Sequence, residues 1–358
     1  MFDVAIVGGG PAGSSCAAFC AKAGLRTLLL ERENFPREKV CGDCLNPGCW
    51  PVLHRLALAE RVHALPHGVL NRVEFIGING RTLAVELPVT EDAEISLKRN
   101  LFDQLLMARA RELGATVCEA TTVTALSPPG NAKENWTITA GDKTFESRTL
   151  VAADGRNSTV ARLCGLLPRS EKERIALQTH LPLPEGFGDR IVLQFLPDGY
   201  SGQAPVGGGE LNLCLVSVPR KMAALRNWAE ARFRISPDHA WRTITPLTRA
   251  PISAGHDSLF LVGDAARVVE PFTGEGIYYA LASGELAAAA IVSQSGGRSA
   301  DEVSTAYSAA HEKLYRGRLW INRLARAAVL SPRIASALLS GARFQPAILR
   351  LLTAKIVR

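Results

Sequence analysis

The stretch Phe2-Asp-Val-Ala-Ile-Val-Gly-Gly-Gly-Pro-Ala-Gly13 joins a short apolar run to a glycine-rich turn. The apolar run is typical of a buried parallel strand, and the residues from Ser14 to Ala23 favour a helix. In the pattern Gly-x-Gly-x-x-Gly, Gly8 permits a tight turn, Gly10 lets a phosphate approach the backbone, and Gly13 lets helix and strand pack closely. The stretch therefore predicts a strand–turn–helix unit that binds a dinucleotide.

A second predicted strand supports this interpretation because it ends in an acidic residue. Thr27-Leu-Leu-Leu-Glu31 is apolar up to Glu31, which lies 18 residues after Gly13. The helix N-terminus offers N–H groups and a positive dipole end to phosphates, and Glu31 can accept hydrogen bonds from ribose hydroxyls. Strand, turn, helix, second strand and acid occur in the order that dinucleotide binding requires.

Later stretches indicate which dinucleotide is bound. An apolar run ends in Asp154-Gly155, another ends in Gly263-Asp264, and Glu270-Pro-Phe-Thr-Gly-Glu-Gly-Ile277 then opens a predicted helix. With the N-terminal glycine pattern, these motifs resemble the three signatures of FAD-dependent oxidoreductases of the aromatic-hydroxylase (group A flavin monooxygenase) and geranylgeranyl-reductase type. The resemblance covers roughly residues 1–300.

The resemblance implies an α/β fold with a Rossmann-like, glutathione-reductase-type FAD-binding domain, a second, mainly antiparallel β-sheet substrate domain and C-terminal helices. The FAD-binding domain is expected to be discontinuous, and the strand-like segments between its parts suit a second sheet over the flavin. The expected boundaries are 1–65, 99–165 and 255–310 for the FAD-binding domain, 66–98 and 166–254 for the substrate domain, and 311–358 for a basic helical segment.

The resemblance also implies a set of cofactor-binding residues. Asp264 is expected on the ribityl chain, Asp154 and Gly155 near the pyrophosphate, and the helix start at Gly274 and Gly276 near the flavin edge that becomes negative on reduction. The full expected set is Gly8, Gly10, Pro11, Ala12, Gly13, Glu31, Arg32, Cys41, Gly42, Arg99, Val123, Asp154, Gly155, Gly263, Asp264, Pro271, Gly274, Glu275, Gly276 and Ile277. No second dinucleotide pattern occurs, so NADPH or NADH, the expected reductant, would reach the flavin without a Rossmann domain of its own.

The stretch Pro36-Arg-Glu-Lys-Val-Cys-Gly-Asp-Cys-Leu-Asn-Pro-Gly-Cys-Trp50 holds three of the eight cysteines. With His54 they number four potential zinc ligands, but the spacing matches no common zinc site, and no metal is predicted. The loop resembles one in geranylgeranyl-reductase-like proteins whose cysteine lies near the flavin. Cys41 is therefore a tentative catalytic residue, with Arg37 and Lys39 expected to lower its pKa; the alternative is a small residue that packs under the ring.

The sequence leaves two main reactions open. Prenyl-lipid reductases carry Tyr-x-Trp-x-Phe-Pro, whereas Gly199-Tyr-Ser-Gly-Gln-Ala-Pro205 lacks the Trp and Phe, which favours a substrate ring with hydroxyl or carbonyl groups. Tyr200, Gln203 and Pro205 are the expected substrate-pocket residues. An NAD(P)H-fed monooxygenase of a phenolic, quinone or polyketide-like molecule is slightly favoured over a carbon–carbon double-bond reductase of a lipid or isoprenoid. A flavin halogenase and a non-enzymatic electron carrier or sensor are weaker alternatives.

Charge distribution and apolar content indicate which partners and which cellular compartment to expect. The net charge is +7, yet ten Lys or Arg residues and no acidic residue lie between Lys313 and Arg358. This basic segment predicts helices that pack on the core or contact an anionic membrane or carrier; no nucleic-acid partner is expected. The N-terminus lacks the pattern of a signal peptide and no apolar run reaches spanning length, so we expect a cytoplasmic protein, at most peripheral to the membrane, with free thiols.

Overall fold

The structure is a computed structural model that describes residues 1–130, 134–168, 174–294 and 297–316. The predicted basic C-terminal helices therefore lie almost entirely outside the described residues. The strands are β1 (Phe2–Val7), β2 (Thr27–Leu30), β3 (Cys44–Leu45), β4 (Gly68–Val69), β5 (Arg72–Ile76), β6 (Thr82–Glu86), β7 (Ile95–Ser96), β8 (Thr116–Cys118), β9 (Ala125–Ser127), β10 (Trp136–Ala140), β11 (Lys143–Ala152), β12 (Ile175–Pro182), β13 (Arg190–Leu196), β14 (Gly199–Pro205), β15 (Glu210–Ser217), β16 (Arg242–Ile244), β17 (Gly255–His256) and β18 (Leu259–Leu261).

The described residues form eight α-helices, one of which packs on the second sheet. They are α1 (Pro11–Lys22), α2 (Trp50–Arg55), α3 (Ala59–His63), α4 (Arg99–Glu112), α5 (Thr159–Leu163), α6 (Met222–Phe233), α7 (Gly276–Gln294) and α8 (Ala300–Tyr315). A short 3₁₀ helix, Pro271–Thr273, precedes α7.

The first sheet is built around a parallel centre in the order β17-β18-β11-β1-β2-β8. In β1 the side chains of Val4, Ala5 and Ile6 are all fully buried. Such a continuous apolar run fits a parallel strand that is covered on both faces. Helices α1 and α7 pack against each other beside this sheet, where the Ser15 hydroxyl donates to the Leu281 carbonyl at 3.1 Å. The carboxyl ends of β1, β2, β11 and β18 thus meet at one edge.

The second sheet has seven strands in the order β16-β12-β15-β14-β13-β5-β6, and only the β13–β5 pair is parallel. Its strands alternate strictly between two faces. The Leu177, Leu213 and Leu215 side chains pack with α6 on one face, whereas Ala176, Tyr200 and Val216 form a cluster on the other. The Gly207–Gly209 turn joins β14 to β15.

A small third sheet, β3-β7-β4, fixes the cysteine-containing loop. Cys44 pairs with Ser96, and Leu45 pairs with Ile95. The Leu97 N–H donates to the Asp43 carbonyl at 2.9 Å. Because of these bonds the loop lies between the two larger sheets.

The predicted fold class is confirmed: parallel and antiparallel sheets form a mixed α/β architecture. The domain boundaries remain a prediction, although the strands of the two large sheets come from different stretches of the chain. One expectation needs revision, because α7 is long and apolar enough to meet the length and composition test for a membrane span. Half of this apolar stretch of α7 is buried, with Ile277, Leu281 and Ile291 inside the core. Packing therefore accounts for its apolar composition.

Candidate active site

A large cavity of about 910 Å³ lies between the carboxyl edge of the parallel sheet and the inner face of the seven-stranded sheet. Ligands of open α/β sheets bind outside the carboxyl ends of the strands, which is where this cavity lies. Seventeen of the twenty predicted cofactor-binding residues line it: Gly8, Gly10, Pro11, Ala12, Glu31, Arg32, Cys41, Gly42, Arg99, Val123, Asp154, Gly155, Asp264, Pro271, Gly274, Gly276 and Ile277.

Gly13, Gly263 and Glu275 are the predicted cofactor residues that do not line the cavity. A Cβ on Gly13 would lie 1.9 Å from the Gly8 carbonyl oxygen, so this glycine serves the close packing of helix on strand. Glu275 is 1% exposed and lies in the core. Of the predicted substrate-pocket residues, Tyr200 and Gln203 line the cavity and Pro205 does not, since its carbonyl accepts a hydrogen bond from the Ser96 hydroxyl.

The glycine turn is held open toward the cavity by Glu31 and by the backbone conformation of Gly8. Gly8 has a φ of +107°, and a Cβ there would lie 2.6 Å from the Ala153 carbonyl oxygen. The Glu31 carboxylate is buried and accepts from the Gly9 N–H at 2.6 Å and from the Glu33 N–H at 2.9 Å. Each carboxylate oxygen keeps a second lone pair. Ribose binding by Glu31 thus remains a prediction that is compatible with this geometry.

The phosphate end of the cavity is strongly basic. No side chain caps the N-terminus of α1, and its first turn holds no acidic residue. An Arg37 nitrogen approaches within 3.7 Å of the position that a Cβ on Gly10 would take. Burial and the neighbouring cations, Arg37, Arg99 and Arg156, lower the pKa of Lys39 to about 8. Buried cations that repel one another beside free helix N–H groups fit the diphosphate of FAD.

Asp154 and Asp264 also line the cavity, and their predicted contacts with FAD remain predictions. One Asp154 oxygen accepts from the first N–H groups of α5, at 2.6 Å from Thr159 and 3.0 Å from Val160, while its Oδ1 is buried without a partner. Burial raises the pKa of Asp154. The Asp264 carboxylate accepts from Arg156 at 2.9 Å. This ion pair across the cavity wall was not predicted.

Arg99 lies at the start of α4 and is tied to that helix. Its guanidinium donates twice to Asp103, at 2.8 Å in each case, and the Asp103 carboxylate also lies 3.1 Å from Arg37. The bidentate geometry fixes the arginine in one orientation. Arg99 lines the cavity in this arrangement, so its predicted contact with FAD stays a prediction.

The cysteine-containing loop corrects one expectation. Burial raises the pKa of the Cys41 thiol, and the nearby Arg99 lowers it by less than burial raises it. The expectation that Arg37 and Lys39 would lower this pKa was wrong, because desolvation of the thiolate outweighs the neighbouring charge. Cys44 also lines the cavity, whereas Cys49 is buried and donates weakly to the Asn46 side chain at 3.6 Å. All eight cysteines are free.

The substrate end of the cavity has an apolar roof from the seven-stranded sheet. Phe272, just before α7, contacts Phe75, Phe195 and Tyr200, with ring centroids 6.4, 5.7 and 5.3 Å away. Val73, Ile191 and Leu193 also line this part of the cavity. Such a surface favours an apolar ligand.

A buried ion pair holds this roof against the 3₁₀ helix that precedes α7. The Arg174 guanidinium donates to both Glu270 oxygens, at 3.0 and 2.7 Å, and each side chain is 2% exposed. The pair joins the start of the second sheet to the loop that carries Phe272. It therefore positions the roof over the cofactor end.

Sequence reasoning missed two carboxyl groups on the cavity wall. Glu94 is 8% exposed, and no described residue donates a hydrogen bond to its carboxyl group or pairs with it. Burial raises the pKa of Glu94 to about 7. Asp43 is fully buried, and His180 lies 2.8 Å from its Oδ2. Alternation along β12 could have placed His180 on the inner face, but no local pattern pairs it with Asp43.

Comparison with known proteins shows the family to which the chain belongs. A family model described as an FAD binding domain matches residues 1–183. A menaquinone reductase of Mycolicibacterium smegmatis is 29% identical over 322 residues, which cover 80% of this chain and 75% of that protein. A geranylgeranyl diphosphate reductase of Synechocystis is 28% identical over 333 residues, covering 82% and 76%. A conditioned medium factor receptor of Dictyostelium discoideum is 27% identical over 325 residues, and the chain spans only 63% of its length.

Solved structures support the fold. The flavin-dependent brominase Bmp2 superposes with a TM-score of 0.79 at 22% identity, over 100% of this chain and 94% of that one. PqsL of Pseudomonas aeruginosa, in complex with 2-aminobenzoylacetate, superposes with a TM-score of 0.78 at 17% identity, over 95% and 99%. At these identities the likeness concerns the fold alone.

Proposed function

The chain belongs to the FAD-dependent oxidoreductases that share this FAD-binding domain, and from that premise we propose that it reduces a double bond of an apolar, quinone-bearing molecule. FAD, when bound, supplies the hydride chemistry. The residues of the chain bind the diphosphate, orient the substrate under the roof, exclude water and supply a proton.

One observation carries this proposal: the same cavity joins a basic cradle for the cofactor to an apolar roof whose wall holds buried carboxyl groups. The cradle lies around Gly10 and Arg37, the roof around Phe272, and the carboxyl groups are Asp43 and Glu94. Adding hydrogen across a double bond needs a hydride and a proton, and a buried carboxylic acid is a suitable proton donor. The named activities of the menaquinone and geranylgeranyl diphosphate reductases support the same class of reaction.

The substrate class follows from the roof. Aromatic and aliphatic side chains dominate it, and Gln203 and Tyr200 add polar groups at its edge. A ring with carbonyl groups attached to an apolar chain would satisfy both. NADPH or NADH is the proposed source of electrons, reaching the flavin from solvent.

A monooxygenase is the second candidate, and the apolar roof of the cavity favours it too. An oxygenating flavin enzyme needs a pocket that excludes water, and Tyr200, which lines the cavity, is 3% exposed. This reaction was slightly favoured from sequence alone. The named reductases at 28–29% identity now favour the reductase.

The test uses the FAD-loaded protein, reduced with dithionite without oxygen and mixed with a short-chain menaquinone as the probe. The proposal predicts that the flavin is reoxidised at once and that the probe gains two carbon-bound hydrogens at a side-chain double bond, which reduction of its quinone ring to the quinol does not give. A flavin that stays reduced until oxygen enters would overturn the proposal in favour of the monooxygenase.

A variant of the roof ties the reaction to this cavity. A Cβ on Gly202 meets only Leu193 at 3.7 Å and Cys214 at 4.0 Å, so Gly202→Leu extends into the cavity without a backbone clash. The substitution is expected to slow reoxidation by the probe at least about tenfold with FAD retained. Ala84→Leu, at an exposed position of the same sheet, is the matched control and should change nothing.

A further inference from the structure

A polar network crosses the inner face of the seven-stranded sheet and ends at a buried carboxyl group in the cavity. We propose that Asp43 and His180 form the proton-donating pair of this site, in which Asp43 protonates the substrate and His180 returns a proton to Asp43. This pair serves the double-bond reduction proposed above and so rests on that function.

Asp43 is placed as a donor rather than as a structural carboxylate. It lines the cavity with an exposed fraction of 0%, and its Oδ1 atom is buried with no hydrogen-bond partner. Its backbone has a φ of +60°, which is uncommon for a residue other than glycine. An unpartnered buried carboxyl oxygen is costly, and such groups cluster where a ligand completes the bonding.

His180 connects this carboxyl group to the outside. Its Nε2 lies 2.8 Å from Asp43 Oδ2, and its side chain keeps 9% of its surface exposed, against 0% for Asp43. His180 does not line the cavity, so it stands behind Asp43 on the side away from the substrate. An imidazole in this position can carry a proton from solvent to the carboxylate.

The neighbours of the pair hold it in place. Gln178, on the same face of β12, donates to Asn212 at 3.1 Å and lies 3.4 Å from Asp43 Oδ2. Asn212 in turn donates to the Cys41 carbonyl at 3.0 Å. The network therefore links the cysteine-containing loop to two adjacent strands of the roof.

The other cavity acids lack such a connection. Glu94 has no hydrogen-bond partner among the described residues, so no group is positioned to reprotonate it after a turnover. Burial raises the pKa of Cys41 and would make its thiol a slow donor. Among these groups, Asp43 alone combines a buried carboxyl oxygen that has no hydrogen-bond partner with a titratable partner at hydrogen-bond distance.

The step balances as follows. FAD, when bound and reduced, would supply a hydride, and with it two electrons, to one carbon of the double bond. The other carbon takes the proton of Asp43, so that an O–H bond breaks and a C–H bond forms. The carboxylate left on Asp43 takes a proton from His180, which takes one from solvent.

The electrostatic surroundings keep a proton on Asp43 more readily than water would. Burial raises its pKa, and His180 and Arg99 oppose this by less. The other titratable groups that face Asp43 are Glu38, Cys41 and Cys44 of its own loop and Cys214 of β15.

The test compares Asp43→Asn, His180→Gln and Glu94→Gln in the FAD-loaded protein. Flavin reduction by dithionite should be equal in all, whereas reduction of the side-chain double bond of the menaquinone probe should fall about 100-fold or more in Asp43→Asn. His180→Gln keeps a donor to Asp43 but carries no proton, so it should slow multiple turnovers and flatten the pH profile. If Glu94→Gln loses the activity and Asp43→Asn keeps it, the pair is not the donor.

Two readouts are independent of turnover. Infrared difference spectra between about pH 4 and about pH 9 should show a protonated carboxyl group that persists above the ordinary aspartate range and is missing in Asp43→Asn. FAD affinity should be unchanged in the same variant. Identical infrared spectra would show that Asp43 holds no proton in this pH range. An Asp43→Asn protein that loses FAD with an unaltered pH profile would place Asp43 in the cofactor site. Either result would overturn the proposal. If the wild type leaves the probe unreduced, the proposed function fails, and these spectra still decide the pair.

Discussion

The isolated carboxyl group of Glu94 should make the stability of the protein fall as the pH rises. Burial raises the pKa of Glu94 from 4.5 to about 7, and no described cation compensates its negative charge. The folded protein then holds this proton more tightly than the unfolded chain. The stabilisation is fully present below about pH 4.5 and is lost as the pH rises through about 7.

The size of the effect follows from the pKa difference. At about 1.4 kcal/mol per pKa unit, the full shift corresponds to roughly 3 kcal/mol of unfolding free energy. Between about pH 5.5 and about pH 8, the linkage relation gives a loss of about 2 kcal/mol in the unfolding free energy. This is a large share of the stability of an ordinary domain.

Urea unfolding of the apoprotein at these two pH values measures the effect, with Glu94→Gln as the test variant. The wild type should lose about 2 kcal/mol more than Glu94→Gln on going to the higher pH. Glu91→Gln, at an exposed position three residues earlier, is the matched control and should behave as the wild type. Equal pH dependence in the wild type and Glu94→Gln would refute the reasoning, because it would mean that Glu94 is solvated or paired.

Three further predictions concern the glycine turn, the buried ion pair and the cavity thiol. Gly13→Ala should lower the unfolding free energy by about 1–3 kcal/mol or more and reduce FAD retention in gel filtration, whereas Gly130→Ala, in open space, should do neither. Arg174→Met should cost about 3–5 kcal/mol in urea unfolding because Glu270 is left buried and unpaired; the double change Arg174→Met with Glu270→Leu should recover much of it, and an equal loss in both would contradict this account. Cys41→Ser should keep FAD and the rate of probe reduction within about twofold, since its thiol is not ionised; a tenfold fall would show that Cys41 takes part in the chemistry.

The cofactor end of the site could be predicted because its requirements are local. A tight turn, a close approach of helix to strand and a free helix N-terminus each need particular residues at fixed spacing, as at Gly8 and Gly13. The strand-like segments between the parts of the predicted FAD-binding domain likewise form strands of the second sheet, including β13 and β15. The resemblance placed Asp154 and Asp264, and both line the cavity.

The substrate end could not be predicted to the same depth because its contacts are distant in the chain. Asp43 and His180 are 137 residues apart, and Arg174 and Glu270 are 96 apart. Neither pairing leaves a local pattern. The prediction that the Cys41 pKa is lowered was wrong for a related reason. Charges can be read from the sequence, but the burial that outweighs them depends on the finished fold.

Product analysis tests the central claim most directly. The FAD-loaded protein turns over a menaquinone probe with NADPH or NADH under heavy-isotope dioxygen and, separately, without oxygen, and mass spectrometry follows the product. Our account predicts a product that has gained two hydrogens on carbon, which remain after the quinol is reoxidised in air, and no labelled oxygen, formed equally well without oxygen. A product that carries the oxygen label and forms only in its presence would contradict it.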